Sequence, residues 1–458
     1  MQREAIERAA RLAGLALDAR TDVAISGDDP VFESPFRLGE GAAVALALVG
    51  QAANGLWTLR GHRPQALALD VRHAAASLVS FALLSLEERA AGERVVNLLT
   101  AIHPCRDGRW IHLHSSFDHG PRVLEELGLP PEADLPAIVA ATSRRDAFAL
   151  EHALAQRGLC GAVVRSAAEW AASAQGRWLA ERPVVEVLRI GDAPPEPLPP
   201  GPRPLSSVRV LDLTRVLAGP TCARTLAEHG ADALHVASPS LPTLELFEMD
   251  TGHGKRQAHA DLRDARQAET VRELARGADV FSQGFRLGAL ARRGFGPEQL
   301  AALRPGIVYV SENCYGNGGP WAERPGWEQL AQTVTGVAAV QGGEVPCLAP
   351  AAHNDYTTGY FAALGAMEAL RRRATEGGSW HVRVSLAQTS MWYVRLGDDL
   401  ARASARGLGD VAPLLTRRAT PYGTMRFLTP PLRMSETPPH WELPSAPLGS
   451  GAPVWLPR

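Results

Sequence analysis

The spacing of apolar residues changes character three times along the chain. Over residues 1–20, Ile6, Ala9, Leu12, Leu15 and Leu17 recur near the helical period, which predicts an amphipathic helix. Asp28-Asp29-Pro30 breaks it, and the apolar run from Gly41 to Leu56 then predicts a long buried helix. A short strand follows at Ala66–Val71, then a helix to about Glu88. From His103 the texture is different. Asp107-Gly108 signals a turn into a strand ending at His114, and helical stretches follow at 122–127, 145–157 and 167–174. This part reads as a small α+β module. The proline-dense run Pro194–Pro204 predicts an extended spacer.

Beyond that spacer the pattern becomes α/β. Val208–Leu213 reads as a strand, Ala218-Gly219-Pro220 as a turn, Thr221–His229 as a helix and Gly230–Val236 as a path into the next strand. A strand–helix–strand unit of about 30 residues implies a parallel pair. A helix at 265–277 and strands at 278–282 and 307–311 extend it. The fold class expected is therefore α/β, a Rossmann-like open parallel sheet with a small α+β domain, whose ligands bind beyond the carboxyl ends of the strands.

A self-similarity crosses the chain. A shift of 315 residues lays Gly365 on Gly50, and the strand His381–Leu386 on Ala66–Val71. The same shift lays Asp355 on Glu40. The N-terminal hundred residues thus read as a decayed copy of the segment near 350–400. The domain scheme expected is a degenerate copy at 1–100, the small module at 101–192, a linker at 193–205, a Rossmann-like domain at 206–415 and a tail at 416–458.

Composition narrows the chemistry. Lys and Arg total 47 and Asp and Glu 49 in 458 residues, so nothing points to nucleic acid. The five cysteines are far apart and include no C-x-x-C pair, which argues against zinc. An odd count in a large chain suggests reduced thiols and a cytoplasmic home. His112 and His114 share one face of a strand, but lack an evident third ligand, so a structural role is favoured and no metal is expected. The N-terminus is too charged for a signal-peptide core, and no uncharged run of about 18 residues suggests a bilayer span. Neither G-x-G-x-x-G after the first strand nor a G-x-S-x-G elbow is present, which weakens dinucleotide and serine-hydrolase readings.

The remaining signal is His353-Asn354-Asp355-Tyr356-Thr357-Thr358-Gly359, just before the buried helix Tyr360–Leu370. Local sequence allows two readings of Asp355: a helix N-cap, or a nucleophilic carboxylate beside free helix N–H groups.

Val208–Pro220, His229–Val236, Gly254-Lys255-Arg256, Phe285–Leu290 and Asp355–Gly359 occur in an order that resembles the family III CoA-transferases, the CaiB/BaiF group. Pro431–Pro439 and Ala446–Gly449 are similar to that family's tail. The resemblance implies an acyl-CoA:carboxylate CoA-transferase with Asp355 as nucleophile and Glu328 as a second active-site carboxylate. It implies CoA contacts at Arg215, Ala218, Lys255, Phe285 and Arg292, with coenzyme A arriving as acyl-CoA and a carboxylic acid as acceptor. It also implies an interlocked homodimer, with no membrane or nucleic-acid partner. One departure is clear: the module precedes the Rossmann-like half here, which leaves open which module closes over Asp355. Two alternatives remain. The family's 2-methylacyl-CoA racemases pair the aspartate with a histidine; Trp327 stands at that place, with His353 as a nearby substitute. A non-catalytic CoA-binding subunit would fit the unusual order and Glu40.

Overall fold

A computed structural model of the chain describes residues 1–89 and 97–457. Its centre is a seven-stranded sheet. The strands are β7 (Glu186–Gly191), β8 (Arg209–Asp212), β9 (Asp232–Ala237), β10 (Lys255–His259), β11 (Val280–Gln283), β12 (Val308–Asn313) and β13 (Ser379–Ser385). Their order is β10-β9-β8-β11-β12-β13-β7, parallel except for β7. The chain winds one way from β8 to β10 and the other way from β11 to β13. The crevice of such a sheet lies where the winding reverses, beyond the carboxyl ends of β8 and β11. The expected Rossmann-like architecture is present. The strand β10 was not foreseen, because Lys255-Arg256-Gln257-Ala258-His259 carries little apolar signal.

Three smaller sheets complete the described structure. β4 (Ala101–Pro104), β5 (Trp110–His114) and β6 (Cys160–Val163) form the antiparallel sheet of the small module. β1 (Val23–Ser26) pairs parallel with β2 (Leu67–Asp70), which also pairs with β16 (Arg433–Met434). The hairpin β14–β15 (Leu415–Thr420, Gly423–Leu428) adds β3 (Ser85–Leu86).

Two expected boundaries shift. β7 lies inside the span assigned to the small module, yet it is an edge strand of the central sheet. The proline-rich run is not a free spacer either. Arg60 donates from Nε to the Pro204 carbonyl at 3.0 Å and from Nη2 to Ser206 at 2.6 Å, and Glu196 pairs with Arg304 at 2.7 Å. Proline-rich backbone has few donors of its own, so its carbonyls are open to arginines from the folded body.

The repeat survives in three dimensions. A helix starts at Leu38 and its counterpart at His353; strands end at Asp70 and Ser385; the next helices start at Val71 and Leu386. Each pair is 315 apart. Even the caps match: Asp70 accepts from the His73 N–H, and Ser385 from the Gln388 N–H. The helix Leu38–Leu59 has the length and apolar character of a membrane span, but most of it is buried in protein. It packs in one core with the helix His353–Glu376.

The latter helix also crosses the helix Ala218–Glu228 at Gly359. A Cβ at Gly359 would lie 2.6 Å from the Ala218 carbonyl and 2.6 Å from Thr221 Cβ. Neither neighbour is a flexible side-chain end, so the backbones must separate to admit a methyl group. Gly359→Ala is expected to cost about 1–3 kcal/mol in urea unfolding, in the manner of an overpacked core. An unchanged midpoint would show that the crossing is loose.

Candidate active site

Asp355 is the third residue of the helix His353–Glu376, whose N-cap is Ala352. The N-cap reading is therefore not the one adopted. One helical turn separates Asp355 from Gly359, so the two lie on the same helix face. The glycine contact carries Asp355 to the start of the helix Ala218–Glu228, where both Asp355 and Ala218 line a cleft of about 480 Å³.

Three carboxylates meet near the cleft's inner end. Glu328 opens the helix Glu328–Thr335 and is buried; its Oε1 accepts from Gln332 Nε2 at 2.7 Å and from Asn354 Nδ2 at 3.2 Å. Burial pushes its carboxyl up to about 7, against the pull of those two amides. Glu312, near the carboxyl end of β12, is raised to about 7 by burial, with the Gly219 N–H acting in the other direction. Asp355 is raised well above the ordinary carboxylate range, first by burial and then by Glu328 and Glu312. Like charges crowded into a poorly solvated place cannot all ionise easily. Sequence reasoning missed Glu312; the signal available was its place at a strand's carboxyl end.

Cations lie elsewhere around the same cleft. Arg215, Arg286, Arg292 and Arg324 line it, together with Phe285, Leu287 and Ala289. The Arg215 guanidinium sits 5.4 Å from the Phe117 ring centroid and donates to the Pro242 carbonyl. Arg286 Nη2 donates to the Gly158 carbonyl at 3.1 Å. Arg324 stacks 3.9 Å from the Trp321 ring. The arrangement suits a ligand with phosphates at one end and a reactive group at the other.

Of the residues expected here, Asp355, Arg215, Ala218, Phe285 and Arg292 line the cleft; Glu328 does not line it but accepts from Asn354 and raises Asp355. Lys255 does not join them. It is buried, and its Nζ donates to Asp212 Oδ2 at 2.9 Å and to the Pro220 carbonyl at 2.8 Å. Burial alone would raise Asp212, but Lys255 and the bonds from Thr214 outweigh it and leave the carboxyl at about 2. Asp212 also accepts from Ser282 Oγ at 3.0 Å. Lys255 is thus an internal strut between β10, β8 and the helix Ala218–Glu228. It secures the base of the loop that carries Arg215 and is not among the residues lining the cleft.

The module at 101–165 forms the cleft's opposite wall through Ser116, Phe117, Asp118, His119 and Cys160. Trp327 fastens it: its Nε1 donates to Ser116 Oγ at 2.5 Å, and its ring stacks on His114 at 5.1 Å. His112 Nδ1 meets Thr333 Oγ1 at 2.9 Å, and the Arg165 N–H donates to the Thr333 carbonyl at 3.1 Å. His112 and His114 therefore serve this docking surface. Burial holds them at about 3 and about 4, so they are neutral near pH 7. The wall is conformationally costly. Ser116, Phe117 and Val216, all on the cleft, have φ of 43°, 65° and 73°. Left-handed backbone at a β-branched residue is uncommon and tends to mark functional loops.

His353 is fully buried behind the cleft, with Nδ1 at 3.2 Å from the Ala351 carbonyl and its ring edge-on to Tyr393. It is absent from the cleft lining, where Trp327 is found. His353, the substitute named in the racemase reading, is therefore not among the residues that face the cleft.

Comparison with known proteins supplies the family. A family model, CoA-transferase family III, matches residues 205–397. The acetyl-coenzyme A transferase nodX of Hypoxylon pulicicidum is 32% identical over 385 residues, covering 73% of this chain and 65% of that protein. An acyl-CoA transferase of Gibberella moniliformis is 33% identical over 434 residues, covering 84% of this chain and 76% of that protein. So large a share of the chain reaches into the half before the sheet domain, and this relative shares that half as well. The chain spans less than two thirds of the first relative and about three quarters of the second. Among solved structures, a CaiB/BaiF family protein from Brucella suis is 27% identical with a TM-score of 0.40, over 49% of this chain and 65% of that one. The chain belongs to CoA-transferase family III.

Proposed function

We propose that the protein moves CoA from an acyl-CoA to a carboxylic acid through a covalent thioester on Asp355. The observation that carries this reading is the placement of Asp355. It is a desolvated carboxylate at the inner end of a cleft lined by arginines, and no side-chain hydrogen bond or ion pair engages it among the described residues.

The chemistry follows from that placement. Asp355 attacks the thioester carbonyl; the C–S bond breaks, leaving an acyl–aspartyl anhydride and CoA thiolate. The thiolate then attacks the aspartyl carbonyl, the anhydride C–O bond breaks, and the donor acid leaves. An acceptor carboxylate repeats the two steps in reverse, so Asp355 is regenerated and CoA departs on the new acid. No net proton or electron is consumed. Dividing the exchange into covalent steps replaces one poor acyl transfer with several easier ones. Arg215 and Arg292 would pair with the phosphates of CoA, and Phe285 would offer an apolar face near them. Glu328 and Glu312 make ionised Asp355 costly, and conversion to a neutral anhydride or thioester relieves that cost. Trp327 cannot exchange a proton at the acyl C2, which favours transfer over racemisation.

Asp355→Ala is expected to reduce transfer below about a thousandth of wild type, as loss of a covalent nucleophile does. It should also abolish the hydroxylamine-sensitive CoA adduct seen by mass spectrometry after mixing with acyl-CoA. Full turnover in this variant would end the proposal.

Glu328→Gln removes a negative charge that raises Asp355. The acid limb of the kcat/KM profile, which requires ionised Asp355, should move to lower pH. An unmoved limb would mean that the two groups are uncoupled in the working enzyme.

Arg292→Ala should raise the KM for acyl-CoA roughly tenfold to a hundredfold, the usual value of a charge-assisted bond, while kcat changes little. Steady-state kinetics over acyl-CoA concentration decide this; an unaltered KM removes Arg292 from the CoA site.

A further inference from the structure

The two repeated segments do more than resemble each other. They pack face to face in a reciprocal way. The Tyr393 hydroxyl reaches the Leu38 carbonyl at 3.5 Å. In the mirrored place the Ala352 N–H donates to the Leu78 carbonyl at 3.1 Å. Under the 315-residue shift, Leu78 is the counterpart of Tyr393, and Ala352 lies one residue before the counterpart of Leu38. Contacts of i with j and of j's mate with i's mate are the mark of a two-fold axis.

The strand exchange is reciprocal too. β7, which follows the first copy in the chain, pairs antiparallel with β13 of the second copy, with Val187 opposite Val382. β16, which follows the second copy, pairs antiparallel with β2 of the first, with Met434 opposite Leu67. Val382 and Leu67 are 315 apart, so the two added strands sit in the same register. Each half of the chain lends a strand to the other.

The chemistry is not reciprocal. Around Asp355 the first half supplies the cleft wall through Ser116, Phe117 and Cys160. At the mirrored place Glu40 pairs with Arg37 at 3.4 Å and accepts from the Asp29 N–H at 3.3 Å, while Asp29 accepts from the Glu40 N–H at 2.8 Å. Residues 27–37 bridge β1 to the Glu40 helix, where residues 314–352 bridge β12 to the Asp355 helix. The segment bearing Glu328 thus has no equivalent there.

We infer that one chain contains both members of a two-fold assembly and a single catalytic centre, so the working unit is a monomer whose first half acts as partner to its second. Among the described residues, the self-complementary face is already occupied from within. The count of centres rests on the transfer reading above; the monomeric state does not.

Light scattering on the 458-residue chain at assay concentration tests the assembly. Quantification of CoA trapped per chain, in wild type and Glu40→Gln, tests the centre. The expected result is a mass of 48.9 kDa, specific activity constant on dilution, and one CoA per chain confined to the Asp355 peptide. Glu40→Gln should match wild type in turnover. A two-chain mass, or CoA on the Glu40 peptide, overturns the inference. Should no transfer be found with any donor, the mass still decides: one chain supports it and two chains refute it.

Discussion

The close approach of Gly359 to the Ala218 carbonyl is the constraint from which the site follows. Two helices from different parts of the sheet domain can touch backbone to backbone only where no side chain intervenes. That contact places Asp355, one turn earlier, at the mouth of the helix that follows β8. It also brings the aspartate to the side of the sheet where the winding reverses, so that fold and chemistry share one geometric cause.

Around this point charge is sorted by distance from solvent. Glu328, Glu312 and Asp355 sit together in a poorly hydrated end, and each makes ionisation of the others harder. Of the cleft's arginines, Arg286 and Arg292 are exposed and Arg215 and Arg324 are half-buried. The buried pair Lys255–Asp212 belongs to neither group; it is a fully satisfied internal contact that fixes the loop between β8 and the next helix. A buried pair of this kind says little about net stability, but it specifies one arrangement of that loop.

The small module acts at a distance in sequence and at contact in space. Trp327, Ser116, His114 and Thr333 join it to the sheet domain through a mixture of hydrogen bonds and ring stacking. The module that closes over Asp355 is thus the one that precedes the sheet domain. The order of segments does not impede the site because the halves are wound around one another through β7 and β16.

Sequence alone determined what depends on local pattern. The alternation and helical period of apolar residues marked β8, β9 and the helices near them, and the 315-residue repeat placed Asp355 opposite Glu40. Motif order identified the family and pointed to Asp355, Arg215, Ala218, Phe285 and Arg292, which line one cleft. Tertiary structure decided what depends on neighbours far apart in the chain. Lys255 was expected among the CoA contacts by motif position, but a cation's partner is not written beside it; Asp212, 43 residues earlier, pairs with it. Glu312 offered only its place at a strand's carboxyl end, since its perturbation arises from burial and from Asp212. β7 read as part of the module because strand polarity and pairing partner are set only when the sheet assembles. Period and motif are properties of adjacent residues, whereas desolvation, pairing and closure belong to the packed whole.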